Sequence, residues 1–350
     1  MKKTLTICGL LLSAACTFAQ PAWVKKATKS VFTLKTFAPD GSLIASSNGF
    51  FTGSNGEAVS NFSSFKGAAR AVIIDANGKQ IPVVSIIGAN DMYDVVKFRV
   101  EGKTTPLVVT PSVASTGSMA WLLPYHELKN IKSGAIRKAE SFQHDYAYYT
   151  IAMTMPQNMV SCPLLNDNGE VIGMMQQSAS DKDTLSYAVS ARFADSLKIS
   201  AFGMNEATLM LTSIKKELPA DLKEATLALF LASSQLDSVA FATLVDDFIQ
   251  KFPQASEGYL YRAQLATADG NFAAAEKDME TALNLAEKPR ILCGDAAQPS
   301  EIPTAQDIGK AAFRDPDSMG EMAVPLYLRP SQAERLFSER NGKKRDSDGQ

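Results

Sequence analysis

Between Ser30 and about Lys198 the sequence is a succession of short stretches that suit β-strands, each stopped by residues that turn the backbone sharply. Val31 to Leu34, Ala71 to Ile74, Val83 to Ile87, Val95 to Val100, Tyr146 to Met153 and Val171 to Met174 are rich in Val, Ile, Phe and Tyr. Branched and aromatic side chains of this kind pack well on a pleated, half-buried surface. Asp40-Gly41, Asn55-Gly56, Asn77-Gly78 and Asn168-Gly169 lie between or beside these stretches, and such pairs supply the positive φ of a tight hairpin turn. At least six short strands at close spacing predict an all-β sandwich or a pair of barrels, not an alternating α/β sheet.

The segment ahead of the strands reads as a secretory signal peptide over residues 1–19. Lys2 and Lys3 precede a largely apolar run from Leu5 to Ala15, and Thr17-Phe18-Ala19 offers a small residue for cleavage before Gln20. The run is too short for a lasting transmembrane span, so the expectation is an exported protein of the periplasm or cell envelope. Cys16, after Ser13-Ala14-Ala15, keeps lipoprotein anchoring open as an alternative.

The formal charge is -2, and cleavage after Ala19 leaves 33 basic against 37 acidic residues. No basic surplus exists to hold a phosphate backbone, which argues against nucleic acid as a partner. Cleavage also removes Cys8 and Cys16, leaving Cys162 and Cys293. An exported protein permits a disulfide, but the two fall in different segments and are read as unpaired thiols. No CxxC, HExxH or GxxxxGK[ST] is present, so neither a metal nor another cofactor is expected.

Several stretches carry a resemblance. Gly49-Phe50-Phe51-Thr52-Gly53-Ser54-Asn55-Gly56-Glu57-Ala58-Val59-Ser60-Asn61 runs as a glycine-rich strand, hairpin and strand; Ala89 to Phe98 forms a loop and strand around Asp94; Pro163 to Gly173 reads Pro-Leu-Leu-Asn-Asp-Asn-Gly-Glu-Val-Ile-Gly; and Tyr187-Ala188-Val189-Ser190 follows. In this order they resemble the trypsin-like serine peptidases of the HtrA type. The resemblance implies a double β-barrel over residues 20–205, with Tyr187 to Ser190 as a closing strand and Ala191 to Lys198 as the helix after it. It also implies where a catalytic triad would stand.

At those positions the residues depart from the family. The triad chemistry needs a hydroxyl nucleophile, an imidazole that takes its proton and a carboxylate that orients the imidazole. Ser63 stands where the histidine is expected and Val160 where the nucleophile is expected, while Asp94 matches the aspartate. A hydroxyl does not replace imidazole as a general base near neutrality. Asn158, Ser161 and Cys162 replace residues of the family's Gly-Asn-Ser-Gly-Gly motif, whose glycines let backbone N–H groups form an oxyanion hole. His126 and His144, the two histidines, map to loops of the second barrel away from the histidine position. The expectation is a chain that is not an enzyme, acting as a protein- or peptide-binding or scaffold protein. The alternative is a hydrolase with Ser161 or Cys162 as a relocated nucleophile.

After a linker at 206–219 the apolar spacing becomes helical. Leu227, Phe230, Leu231, Val239, Leu244, Phe248 and Ile249 recur at three- and four-residue steps, followed by Tyr259, Ala263, Ala266, Gly270, Phe272, Ala275, Met279 and Ala282. This second unit resembles a tetratricopeptide repeat, which implies a helical module over 220–289. Its helices are as readily a plain hairpin as a peptide-binding groove. Residues 290–350 break the pattern, and Val324 to Arg335, with Pro303 to Ile308 upstream, resembles the C-terminal end of the TsaB family. That family's main fold is missing here, so no activity is carried over, and the tail is expected to be irregular or disordered.

Overall fold

The computed structural model describes residues 21–126, 131–178, 180, 183–203 and 206–286. The proposed signal peptide with Cys16, the thiol of Cys293, and the tail from 290 onward lie outside the described residues.

The β region forms two closed antiparallel barrels of six strands each. The first contains β1 (Val31–Phe37), β2 (Leu43–Phe51), β3 (Glu57–Ser60), β4 (Arg70–Ile74), β5 (Gln80–Asn90) and β6 (Val95–Val100), in the ring order β1-β2-β3-β6-β5-β4. The second contains β7 (Met119–Leu122), β8 (Lys132–Phe142), β9 (Tyr146–Ile151), β10 (Pro163–Leu165), β11 (Val171–Met175) and β12 (Ser186–Ser190), in the ring order β10-β11-β12-β9-β8-β7. The rings have the same connectivity, and the short tight turns make it possible. Gly41, Gly56, Gly78 and Gly169 all sit at positive φ. At Gly56 even a methyl group would meet the Val100 carbonyl at 2.2 Å, so the hairpin closes only around glycine.

Alternation sorts the side chains. Phe32, Leu34, Phe51, Ile73, Ile86 and Phe98 fill the first barrel, and Leu122, Ile136, Tyr149, Ile151, Leu164 and Ile172 fill the second. A third cluster joins them: Val31, Phe50, Val59 and Val95 from one barrel meet Val171, Met174 and Val189 from the other. Burial on both faces of a strand explains why Val31-Phe32 and Phe50-Phe51 are consecutive apolar pairs.

A short helix α1 (Val24–Ala27) leads into β1 and buries Val24 in the joining cluster. After β12 the chain forms a single turn, α2 (Phe193–Ser196), where a helix over Ala191 to Lys198 is expected from the resemblance. The turn ends because Leu197 is extended, with ψ 106°, and its backbone lies against Gly88, where a Cβ would approach to 2.7 Å. The next one-turn helix, α3 (Ala207–Met210), places Leu209 in the core of the first barrel.

Residues of the linker then add to β5. Ile86 N–H donates to the Lys215 carbonyl at 2.8 Å and Glu217 N–H donates to the Ile86 carbonyl at 2.7 Å, a parallel bridge. Four helices complete the described chain: α4 (Leu222–Ala232), α5 (Ser238–Lys251), α6 (Ser256–Ala268) and α7 (Phe272–Leu285). Asp221, Asp237 and Asn271 cap three of their N-termini by accepting backbone N–H groups. Ala225, Leu229, Phe241, Val245 and Phe248 form the core between α4 and α5, with Tyr261 and Leu265 of α6 packed against it.

Candidate functional site

The three positions implied by the resemblance converge at the junction of the barrels. Ser63 lies in a 3-10 turn (Phe62–Phe65) after β3, Asp94 in the turn between β5 and β6, and Val160 in the loop before β10. Asp94 adopts φ 49°, one of the few left-handed residues that are not glycine, as an Asx side chain tolerates.

Ser63 is bound to Asp94 twice. Its backbone N–H donates to Asp94 Oδ1 at 2.5 Å and its hydroxyl donates to Oδ2 at 2.9 Å. The Ser63 Oγ in turn accepts a bond from Asn61 Nδ2 at 2.7 Å. Asn61 Oδ1 accepts the Ser161 hydroxyl at 3.0 Å, across the junction, and also the hydroxyl of Ser47 at 2.6 Å. A string of carboxylate, hydroxyl, amide and hydroxyl therefore runs from Asp94 to Ser161. Hydroxyl and amide groups orient one another but do not take up a proton near neutrality.

The Val160 loop is held from the first barrel. Asn48 Nδ2 donates to the carbonyls of Asn158 at 2.8 Å and Val160 at 3.0 Å. The N–H groups turn the other way: Val160 donates to Gln157, Ser161 to Met175 and Cys162 to Met159. The face offered to the junction thus carries acceptors, whereas an oxyanion hole offers donors. Ser161 reaches this geometry at φ 65°, a cost of roughly 1–2 kcal/mol for an L-residue.

Ser161 and Cys162 are 0% and 1% exposed. Burial pushes the Cys162 thiol up to about 12, only slightly offset by a backbone hydrogen bond from Tyr125. It is therefore a protonated thiol at neutral pH, packed among Met159, Leu164 and Met175. His126 and His144 sit in turns of the second barrel, with His126 against the Tyr125 ring. Among the described residues no group of three His, Cys, Asp or Glu is placed to hold a metal ion.

Asn48 and Asn61 are the two junction residues that motif reading does not single out. The signal they leave is a local excess of small polar residues, Ser46-Ser47-Asn48 in the middle of β2 and Ser60-Asn61 at the end of β3, each next to buried apolar residues. Two surface cavities lie elsewhere. One, of about 310 Å³, is bounded by Arg99, Glu217 and Lys251; the other, of about 280 Å³, is bounded by Lys29, Asp75 and Lys103.

Twin six-stranded antiparallel barrels with a polar junction define the class: this is the trypsin-like double-barrel fold, followed by C-terminal helices. No family model matches the chain, and no curated protein is similar to it. Among solved structures it is similar to the Rv3671c protease from M. tuberculosis in its active form, at 19% identity, a TM-score of 0.44, and coverage of 56% of this chain and 92% of that one. An inactive form of the same protease with a serine-to-alanine substitution is similar at 21% identity and a TM-score of 0.42, covering 51% and 90%. With TM-scores below 0.5 the fold assignment rests on the barrels themselves.

The comparison corrects one expectation. The residues Ser63 and Val160 predict a chain that is not an enzyme, yet the solved structures named above are forms of a protease, one of them active. That expectation is withdrawn: substitution at two positions does not by itself make a protein of this fold a non-enzyme.

Proposed function

We propose that this chain is an exported protein of the cell envelope that binds a protein or an extended peptide at the barrel junction. In this reading residues 1–19 are the signal peptide, Ser63, Asp94 and Val160 occupy the places of a peptidase triad, and residues 220–289 form a tetratricopeptide-like module. The observation that carries it is the polar string from Asp94 through Ser63 and Asn61 to Ser161, together with the acceptor face held by Asn48. Ser63 is exposed and Asp94 half-buried, so the string opens to solvent at one end. Exposed hydroxyl and carboxylate groups beside main-chain acceptors suit the N–H groups of an extended chain.

The test measures binding and turnover on one preparation. Purified chain from Gln20 onward is titrated with fluorescein-labelled unfolded casein, followed by anisotropy and by fragment release, with serine- and cysteine-directed probes in parallel. Saturable binding that weakens in Asp94→Asn and Ser63→Ala supports the reading. Fragment release with label on Ser161 or Cys162 would transfer the function to hydrolysis by a relocated nucleophile.

A further inference from the structure

The cavity of about 310 Å³ lies outside the first barrel, where β5, β6, the linker strand and α5 meet. Arg99 comes from β6, Lys215, Lys216 and Glu217 from the linker, and Asp247 and Lys251 from α5. Arg99 stands near the far end of β6, roughly 16 Å along the strand from the Asp94 turn, so this site is separate from the barrel junction.

Its charges do not balance. Four cationic side chains line it against two carboxylates, and Glu57, which faces Arg99 from β3, is matched by Lys97 at 3.1 Å. Both lining carboxylates are already held: Glu217 by Arg99, Lys251 and the Ser85 hydroxyl, and Asp247 by Lys215 at 2.6 Å. Lys216 has no carboxylate partner among the described residues; its half-buried ammonium donates to the Thr212 carbonyl at 2.6 Å. Burial lowers its pKa, the response of an ammonium without a nearby counter-charge. An ammonium has three N–H donors. Lys215 spends its bonds on Asp247 alone, and Lys251 on Glu217 and the Leu218 carbonyl, so each keeps a donor for a ligand.

We infer that this cavity binds a small organic dicarboxylate, with its two charges on Lys215 and Lys251 and its short apolar body against Val84 and Leu218. A dianion offsets the difference between four cations and two carboxylates, and the volume lies at the small end of ligand sites. The chain itself shows the preference for carboxylates, since these cations already hold Glu217 and Asp247 by charge-assisted bonds. The Lys215 carbonyl accepts the Ile86 N–H, so a ligand joining Lys215 to Lys251 ties the linker strand and α5 to the barrel. The site works independently of peptide binding at the junction.

The chain from Gln20 onward is titrated with glutarate by calorimetry, with uncharged glutaramide as its twin and with inorganic phosphate and chloride at matched ionic strength. The expected result is saturable glutarate binding with Kd below about 1 mM and no binding of glutaramide. Amide exchange at Ile86 is expected to slow about fivefold or more on saturation. Lys215→Gln is expected to weaken binding about tenfold, and Asp247→Asn, which frees Lys215 of its carboxylate, to tighten it about threefold or more. Absence of saturable binding up to about 20 mM overturns the inference, as does Lys215→Gln that binds within about twofold of the wild type. An equal response to phosphate or chloride also overturns it, because the effect is then one of any anion. If Lys215→Gln misfolds, Asp247→Asn decides: binding that is unchanged or weaker overturns the inference.

Discussion

Asn48 carries more of the junction than its size suggests, because one amide satisfies two carbonyls of the opposite barrel. Asn48→Ala removes both bonds, each worth about 0.5–1.5 kcal/mol net, a loss read as a lower melting temperature and faster proteolysis at Asn158. Asn48→Asp is expected to be worse, since a carboxylate would face two carbonyl oxygens. Cys162 makes a prediction of a different kind. Its thiol is raised from 9.0 to about 12 in the folded chain, so the unfolded chain ionises first. The thiol's contribution to stability is full below about pH 9 and is lost as pH rises toward about 12. Cys162→Ala is expected to make the alkaline slope shallower in denaturant titrations, since the phenols of Tyr125, Tyr148, Tyr149 and Tyr261, also raised by burial, keep a share of it. Iodoacetamide is expected to modify the wild-type thiol only after unfolding. At this scale the sequence is legible in part: it places Ser63, Asp94 and Val160, but nothing local reveals that Asn61 bridges Ser63 and Ser161.

Among the elements, strands with consecutive branched or aromatic residues are readable from the amino-acid sequence alone. β1, β4, β5, β6, β9 and β11 each contain such a run. β8 is not readable in this way, because Lys132 to Phe142 mixes Lys, Arg, Glu and Gly with single apolar residues, and its strand state comes from pairing with β7 and β9. β7 and β10, at four and three residues, are likewise too short to show a period. Contacts between elements support two predictions. Phe193 on α2 packs against Tyr93 of the first barrel and against Phe142 and Tyr146 of the second and is 2% exposed. Phe193→Ala is expected to cost about 3–5 kcal/mol, measured by chemical denaturation. The linker is held by Glu217, which binds Arg99 through both oxygens and Lys251 through one. Burial raises its carboxyl pKa, but the bonds from Arg99 and then Lys251 outweigh that and hold it below the ordinary value. Its contribution is therefore present above that ordinary value and lost on acidification below it. Glu217→Gln is expected to loosen the Lys215 to Glu217 strand, seen as faster amide exchange at Ile86, and to flatten the acid limb of the stability profile.

For the whole molecule, the barrels are expected to carry the binding without the helices. If the barrels alone carry binding, a chain ending at Pro219 keeps its affinity for unfolded casein; loss of affinity without loss of the barrels' thermal transition would assign the work to the helices. The exposed Phe272, Met279 and Leu283 on α7 make that comparison worth doing. Export is checked by the N-terminus of the protein recovered from cell fractions, expected at Gln20.

The amino-acid pattern determined that there are many short strands, where several turns fall, and that helices follow them, because side-chain periodicity and turn glycines act within a few residues. The double barrel is already implied by the strand pattern and the family resemblance, but its ring order of six strands, the turning of the Val160 loop toward Asn48, and the string from Asp94 to Ser161 were decided only by tertiary structure. The bonds that cross from one barrel to the other join residues 100 to 112 positions apart, and a hydrogen bond across that separation exists only once both barrels have closed and set its ends within 3 Å of each other.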